Sequence, residues 1–342
     1  MRSLVTGASG FLGGALVRRL VREGDEVAIL VRPSSDLSDL REVIDRVRVI
    51  TGDLGDESSL ERAATGVDVV FHSAARVDER GTRQQFWTQN VRATERLVSA
   101  ARNGGASRFV FISSPSALMD RDGGDQIDID ESTPFPRHYL NHYCETKAAA
   151  ERLVLAADTA DFTTCALRPR AIWGVGDRSG PIVRLLDRAR AGTLPDLSFG
   201  RDVYASLCHV DNIVEACVLA ARSESVGGKA YFVADAERTN VWEFLAQVIA
   251  DLGYAPPRRH PDPRLVEAIV TGIETLRRIP YLAERWSPPL SRYTVAVMTR
   301  SGTYDTSAAV RDFGYRPVID RDTGMAALKD WLRARVAEDI PG

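Results

Sequence analysis

Residues Thr6-Gly7-Ala8-Ser9-Gly10-Phe11-Leu12-Gly13 set three glycines at equal spacing between an apolar start, Leu4-Val5, and a helix-like continuation, Ala15-Leu16-Val17. In a strand-turn-helix, the first such glycine takes a backbone conformation that a Cβ disfavours. The second lets main chain approach a pyrophosphate, and the third lets helix and strand pack closely. The helix N-terminus adds unpaired amides and a partial positive charge. Gly7, Ser9, Gly10, Phe11, Leu12 and Gly13 are therefore the candidate dinucleotide-binding positions.

The pattern that follows repeats this beginning. Short apolar runs at Leu4–Thr6, Val27–Val31, Val47–Thr51, Val67–Phe71, Phe109–Ile112 and Thr163–Leu167 read as strands covered on both faces. Helical stretches lie between them at Phe11–Val21, near 56–65 and near 83–103, and around Tyr143. Strand-helix alternation of this kind predicts an α/β fold, a doubly wound parallel (Rossmann) sheet with right-handed crossovers. After Trp173 the rhythm changes: 180–192 and 240–252 read as helices, and Ser206–Val210 and Ala230–Ala234 as strands. Amphipathic helices follow near 263–278, 291–299 and 322–336, with proline pairs at Pro256-Pro257 and Pro288-Pro289. The expected division is a dinucleotide-binding domain at 1–176, rejoined by 205–234, and a smaller, mostly helical substrate lobe at 177–204 and 235–342.

Composition narrows the partners. The net charge is −3 with signs mixed along the chain, which argues against a nucleic-acid surface. Apolar runs fall short of a membrane span, and Met1-Arg2 leads directly into a strand, so a cytoplasmic protein without a transmembrane segment is expected. Cys144, Cys165, Cys208 and Cys217 lie in different elements without CxxC or metal-ligand spacing; they read as reduced, buried thiols, and no metal site is expected.

The residues after the second strand discriminate between nicotinamide cofactors, because a carboxylate there accepts ribose hydroxyls whereas a cation pairs with a 2′-phosphate. Here the strand ends in Val31-Arg32-Pro33-Ser34-Ser35, with no acid before Asp36. Arg32 and Ser34 favour NADP(H), with NAD(H) left open. Asp53, followed by Leu54 after the third strand, is placed to accept from the adenine amino group. Ala74 and Ala75, after the fourth, are small enough for the chain to run beside the cofactor.

A second motif supplies the chemistry. Tyr143 and Lys147 sit one helical turn apart, on one helix face. An ammonium there can lower the phenol pKa and bond the nicotinamide ribose, and the phenol can exchange a proton with a substrate oxygen. Ser114, at the carboxyl end of the fifth strand, is the candidate positioner of that oxygen; Ser113 and Ser116 compete, with Ser116 otherwise assigned to the substrate. Asn90 either bridges helix backbone to Lys147 through water or lies on a helix surface.

These residues resemble the extended short-chain dehydrogenase/reductases. That family has TGxxGxxG, a serine or threonine after strand five, YxxxK and an arginine-proline turn after strand six, matched here by Thr6–Gly13, Ser114, Tyr143/Lys147 and Arg168-Pro169. His209-Val210-Asp211-Asn212 and Phe313-Gly314-Tyr315-Arg316-Pro317 extend the likeness over nearly the whole chain. Ala166–Gly174 and Pro288–Arg292 resemble the 3β-hydroxysteroid dehydrogenase branch, which includes sterol carboxylate dehydrogenases and bacterial 2-alkyl-3-oxoalkanoate reductases. The resemblance implies that Pro169, Ala171 and Ile172 lie beside the nicotinamide and Trp173 near the substrate channel. It also implies a homodimer and a largely apolar ketone or secondary alcohol, such as a β-keto acid, lipid or steroid. Arg32 looks like the NADP-using members, and Cys144 stands where serine or alanine often follows the tyrosine.

The expected function is thus NADP(H)-dependent interconversion of a ketone and an alcohol. A nucleotide-sugar epimerase or dehydratase of the same fold is the alternative, with Arg184, Arg188, Arg201 and Arg292 available for a diphosphate. A non-catalytic nucleotide sensor would tend to lose the tyrosine or the lysine. Residues 263–300 could form a lid, a dimer surface or a membrane contact.

Overall fold

A computed structural model describes residues 1–338 apart from Ser179, Arg258, Arg259, Ser287 and Pro289, so the Pro289 of the Pro288–Arg292 motif lies outside the described residues. Strands β1 (Arg2–Thr6), β2 (Glu26–Val31), β3 (Val47–Thr51), β4 (Val69–His72) and β5 (Arg108–Ile112) alternate with helices α1 (Phe11–Arg22), α2 (Glu57–Ala64), α3 (Arg83–Phe86) and α4 (Ala93–Asn103). Strand β6 (Gln126–Ile129) and helix α5 (His142–Ala156) precede β7 (Thr163–Pro169) and β8 (Ile172–Trp173). Then come α6 (Pro181–Arg190), β9 (Tyr204–Ala205), β10 (Cys208–His209), α7 (Val210–Arg222) and β11 (Lys229–Val233). The described chain ends through β12 (Thr239–Asn240), α8 (Val241–Asp251), α9 (Pro263–Leu276), α10 (Pro280–Arg285), α11 (Arg292–Thr299), β13 (Gly302–Tyr304), α12 (Ser307–Phe313) and α13 (Arg321–Glu338).

Seven strands form one sheet in the order β11-β7-β5-β4-β1-β2-β3, with every neighbouring pair parallel. The order reverses between β1 and β4, which opens a crevice at the carboxyl ends of those strands, where ligands bind in open α/β sheets. Two apolar cores sandwich the sheet. Leu16, Val17, Ile29, Val110, Leu167 and Ile213 fill the α1/α7 side, and Leu4, Val70, Leu97, Phe109 and Val154 the other. That double coverage is why the central strands read as unbroken apolar runs. The doubly wound parallel sheet is as the alternation predicts.

The apolar run Ser206–Val210 predicts a strand, but the structure keeps only Cys208–His209 as β10 and starts α7 at Val210. The His209 side chain accepts the Asp211 amide at 3.2 Å, capping the helix. Helical spacing of Val210, Ile213, Val214, Cys217 and Val218 then buries α7 against the sheet.

A third core, including Ile182, Leu186, Phe244, Val248, Val266 and Leu328, gathers α6, α8, α9 and α13 away from the sheet. Next to it, β6 pairs with β13 in a four-stranded sheet ordered β12-β9-β13-β6. Helix α9 covers that core with Val266 and Val270, while its Leu265, Ile269 and Leu276 face solvent. Among the described residues no helix is long and apolar enough to cross a membrane.

Candidate active site

The glycine turn closes onto the end of β4. Gly7 has φ of 75°, and a Cβ there would lie 2.7 Å from the Ala74 amide nitrogen. The Gly10 amide donates to the Gly7 carbonyl at 2.9 Å, and Gly10 caps α1 without a side-chain hydrogen bond. A Cβ on Gly13 would fall 2.1 Å from the Gly7 carbonyl oxygen. Main chain thus fills the turn, leaving an exposed Ser9-Gly10 rim at the helix N-terminus. Gly13→Ala should push Gly7 out of place and cost about 1–3 kcal/mol. A fall in the urea midpoint together with weaker dinucleotide binding checks this; unchanged values for both would refute it.

The flanking positions lie around the same crevice. Arg32 and Ser34 are exposed at the end of β2, where the Arg32 amide donates to Ser35 Oγ at 3.1 Å. Asp53 follows β3, its carboxylate accepting the Gly55 amide at 2.7 Å, and Leu54 packs on the core beneath. Ala74 and Ala75 are half-buried beside Gly7. Phe11 is half-buried and Leu12 buried at the start of α1.

Helix α5 begins at a cap in which Asn141 Oδ1 accepts the Cys144 amide at 2.9 Å. Its buried face carries Thr146, Lys147 and Glu151 as well as apolar residues, which is why its amphipathic pattern is weak. Lys147 Nζ donates to the Ile112 carbonyl at the end of β5 and lies 4.3 Å from the Phe111 ring centroid. Burial lowers the Lys147 pKa to about 7, against the attraction of Glu151. Burial also raises the Tyr143 phenol to about 12, partly offset by a hydrogen bond with the Ser114 hydroxyl. The expected lowering of the phenol by Lys147 is therefore not what this arrangement does, because desolvation governs both groups.

Three serines follow β5, and their partners separate them. Ser113 Oγ donates to Glu151 Oε2, and Glu151 is in turn bonded by Arg168, so Ser113 is committed to a buried ion pair. Ser114 Oγ accepts the Ser116 amide at 3.2 Å, starting the turn Pro115–Leu118, and reaches the Tyr143 phenol. Ser116 Oγ lies 2.9 Å from the Tyr293 hydroxyl on α11, and the Tyr143 and Tyr293 rings meet edge to face at 6.2 Å. Tyr293 carries no motif signal beyond following Pro288–Arg292, and sequence reasoning misses it.

Asn90 is buried rather than on a helix surface. Its side chain accepts from the Arg76 amide at 2.7 Å, donates to the Arg76 carbonyl at 3.1 Å and donates to Thr146 Oγ1 at 3.1 Å. It sits where the helix between α3 and α4 widens into a π-type turn, Trp87–Arg92. His72 also escapes the sequence reading. It is buried between Thr6 Oγ1 at 2.7 Å and Thr94 Oγ1 at 2.9 Å, and desolvation, then repulsion from Lys147, takes its pKa to about 3.

Beyond β7, Ala171 holds φ of 45°, an unfavourable conformation for a residue with a Cβ, between buried Pro169 and half-buried Ile172. Arg170 anchors this bend by donating to the Gly302 carbonyl at 2.9 Å. Trp173 does not face an open channel. It is buried in the third core, its Nε1 donating to Asp235 at 2.7 Å and its ring 4.8 Å from His209. The His209–Asn212 motif is structural too, since Asp235 accepts from the His209 amide and Asn212 Nδ2. Of the arginines a diphosphate would need, Arg292 is paired with Glu267 and Glu274, and Arg201 with Asp125.

The sequence matches the model of the 3-beta hydroxysteroid dehydrogenase/isomerase family over residues 4–263. It is 35% identical over 339 residues to the 2-alkyl-3-oxoalkanoate reductase of Stenotrophomonas maltophilia, spanning 96% of this chain and 98% of that protein. To the 3-beta-hydroxysteroid dehydrogenase of Mycolicibacterium neoaurum it is 31% identical over 337 residues, spanning 95% and 89%. The solved structure of MoeE5 in complex with UDP-glucose and NAD superposes with a TM-score of 0.71 at 27% identity, covering 98% of this chain and 100% of that one. With the glycine cradle and the Ser114, Tyr143 and Lys147 cluster at the carboxyl ends of the central strands, the chain belongs to the 3-beta hydroxysteroid dehydrogenase/isomerase family and is an oxidoreductase of the extended short-chain dehydrogenase/reductase type.

Proposed function

We propose that the protein reduces a ketone on a largely apolar substrate with NADPH, or runs the reverse oxidation. The observation that carries this reading is the Ser114 hydroxyl at a Tyr143 phenol that burial keeps protonated at neutral pH. Tyr143 then serves as the proton donor and Ser114 holds the carbonyl oxygen against it. The cofactor supplies the hydride. Lys147 is the ribose anchor, with Asn90 fixing the neighbouring Thr146 turn. Pro169, Ala171 and Ile172 border the nicotinamide position, and Asp53, Leu54, Ala74 and Ala75 the adenosine side.

Arg32 and Ser34 are the residues assigned to the 2′-phosphate, and their exposure leaves them accessible to it. Residues 1–176 with 205–234 make up the nucleotide domain in this reading, and the remainder the substrate lobe. The likeness to the family adds a homodimer, and the four buried, unpaired cysteines accord with the cytoplasm. The 35% identity to a protein named as a 2-alkyl-3-oxoalkanoate reductase supports a keto acid over a nucleotide sugar.

Fluorescence titration with NADPH and NADH tests the cofactor assignment. NADPH is expected to bind more tightly, and Arg32→Ala to weaken it by roughly tenfold or more, the loss of one charge-assisted contact. Equal affinities that the variant leaves unchanged would overturn the NADP assignment. Nicotinamide retained through purification, with turnover of a UDP-sugar without added cofactor, would overturn the reductase reading itself.

A further inference from the structure

Four hydroxyls cluster at the candidate site as two pairs, and their division carries information about substrate. Ser114 lies beside the Tyr143 phenol, and Ser116 is bonded with Tyr293 at 2.9 Å. The two tyrosine rings are 6.2 Å apart, edge to face. A simple ketone has one oxygen to satisfy, and the Ser114/Tyr143 pair is sufficient for it. The second pair has no role in that transfer, yet it is built with care. Ser291 caps α11 by accepting the Thr294 amide at 3.0 Å, and its hydroxyl donates to Glu79 Oε1 at 2.7 Å. Glu79 lies on the loop after β4, so this bond clasps α11 to the nucleotide-binding edge and sets the height of Tyr293 over Tyr143.

We infer that Tyr293, with Ser116, is a specificity-determining hydroxyl pair that binds a second substrate oxygen one carbon removed from the reacting ketone. The inference rests on the ketoreductase reading above. Each hydroxyl supplies one donor, and the Ser116–Tyr293 bond uses only one of the two, leaving a donor for a carboxylate or ester oxygen. Burial holds the Tyr293 phenol protonated, as a donor requires. Leu140, Cys144 and Ala296 are buried, with Met119, Tyr139, Tyr143 and Tyr293 packed on them, so both phenols stand on one apolar cluster. A substrate with two oxygens near one end can engage both hydroxyl pairs. A plain ketone or a steroid alcohol leaves the pair's spare donor without an acceptor, and such unmet polar groups are what give polar sites their selectivity.

Ethyl acetoacetate and methyl pentyl ketone, matched in chain length, make the test with purified protein and NADPH. Wild type is expected to prefer the oxo ester in kcat/KM. In Tyr293→Phe and in Ser116→Ala that preference should fall by about fivefold to tenfold each, mostly through KM, the effect of one neutral hydrogen bond. A role confined to packing would lower both substrates equally and leave the ratio unchanged, which would overturn the inference. So would a wild-type enzyme that reduces both ketones without preference, while the ketoreductase reading would stand. Absence of NADPH-dependent turnover on either ketone would overturn that reading, and this inference with it.

Discussion

Tyr143→Phe is expected to lower ketone turnover by about 10²–10⁴-fold, the usual worth of a positioned proton donor. The phenol lies against Ser114, and its pKa of about 12 leaves it essentially fully protonated at neutral pH. Reduction creates an alkoxide that must be protonated as it forms, and the groups nearest this oxygen are Tyr143 and Ser114. A serine hydroxyl is a far weaker acid, and the Tyr293 hydroxyl is paired with Ser116, its ring centroid 6.2 Å from that of Tyr143. Lys147 cannot substitute, because its Nζ is directed at the Ile112 carbonyl. The substitution removes one oxygen and keeps the ring, so the contact with Tyr293 and the fold should persist. The informative measurement is therefore kcat beside the Kd for NADPH. A large loss in kcat with Kd nearly unchanged supports the acid assignment. Turnover within a few-fold of wild type would transfer the role to another group, and a parallel loss of cofactor binding would mark Tyr143 as an anchor instead.

What was legible in the sequence was local. The turn from Thr6 to Gly13 specifies its own conformation, because Gly7 and Gly13 meet only backbone where a Cβ would stand. Tyr143 and Lys147 lie one turn apart on a helix whose cap, Asn141, directly precedes them. What was not legible depended on distant partners. Ser113, Ser114 and Ser116 are equivalent on paper, and only Glu151, Tyr143 and Tyr293 tell them apart. Tyr293 comes to Ser116 across 177 positions of chain, a separation no periodicity encodes. The family resemblance puts Trp173 near a substrate channel, but the Asp235 carboxylate, from beyond β11, draws its indole into a core. The direction of the Tyr143 and Lys147 shifts was hidden for a related reason, since spacing shows proximity and not desolvation.

Loss of the Glu151 charge is the substitution expected to cost most in stability. Glu151 is fully buried on α5, and Arg168, at the end of β7, bonds both its oxygens, with Nε donating to Oε2 at 3.0 Å and a second bond to Oε1 at 2.5 Å. Ser113, just after β5, adds a third bond, so one carboxylate ties the ends of two strands to helix α5. The Arg168 guanidinium is enclosed as well, 5.3 Å from the Phe232 ring centroid and 5.8 Å from that of Phe135. Glu151→Gln keeps the shape but removes the carboxylate charge that is bonded to that buried cation, a loss that typically costs about 3–5 kcal/mol. Desolvation is the reason: a buried ion pair adds little net stability, whereas half of one is strongly unfavourable. The paired variant Glu151→Leu/Arg168→Met should therefore recover much of the loss, and urea midpoints for the wild type and the two variants measure it. The charge also favours the protonated form of Lys147 one turn away, so Glu151→Gln should move the lysine pKa below its value of about 7. Ribose anchoring by the ammonium would then weaken at a lower pH than in wild type. A single variant as stable as wild type would mean that water reaches Arg168, and the pair would not be the tie between sheet and helix that its burial implies.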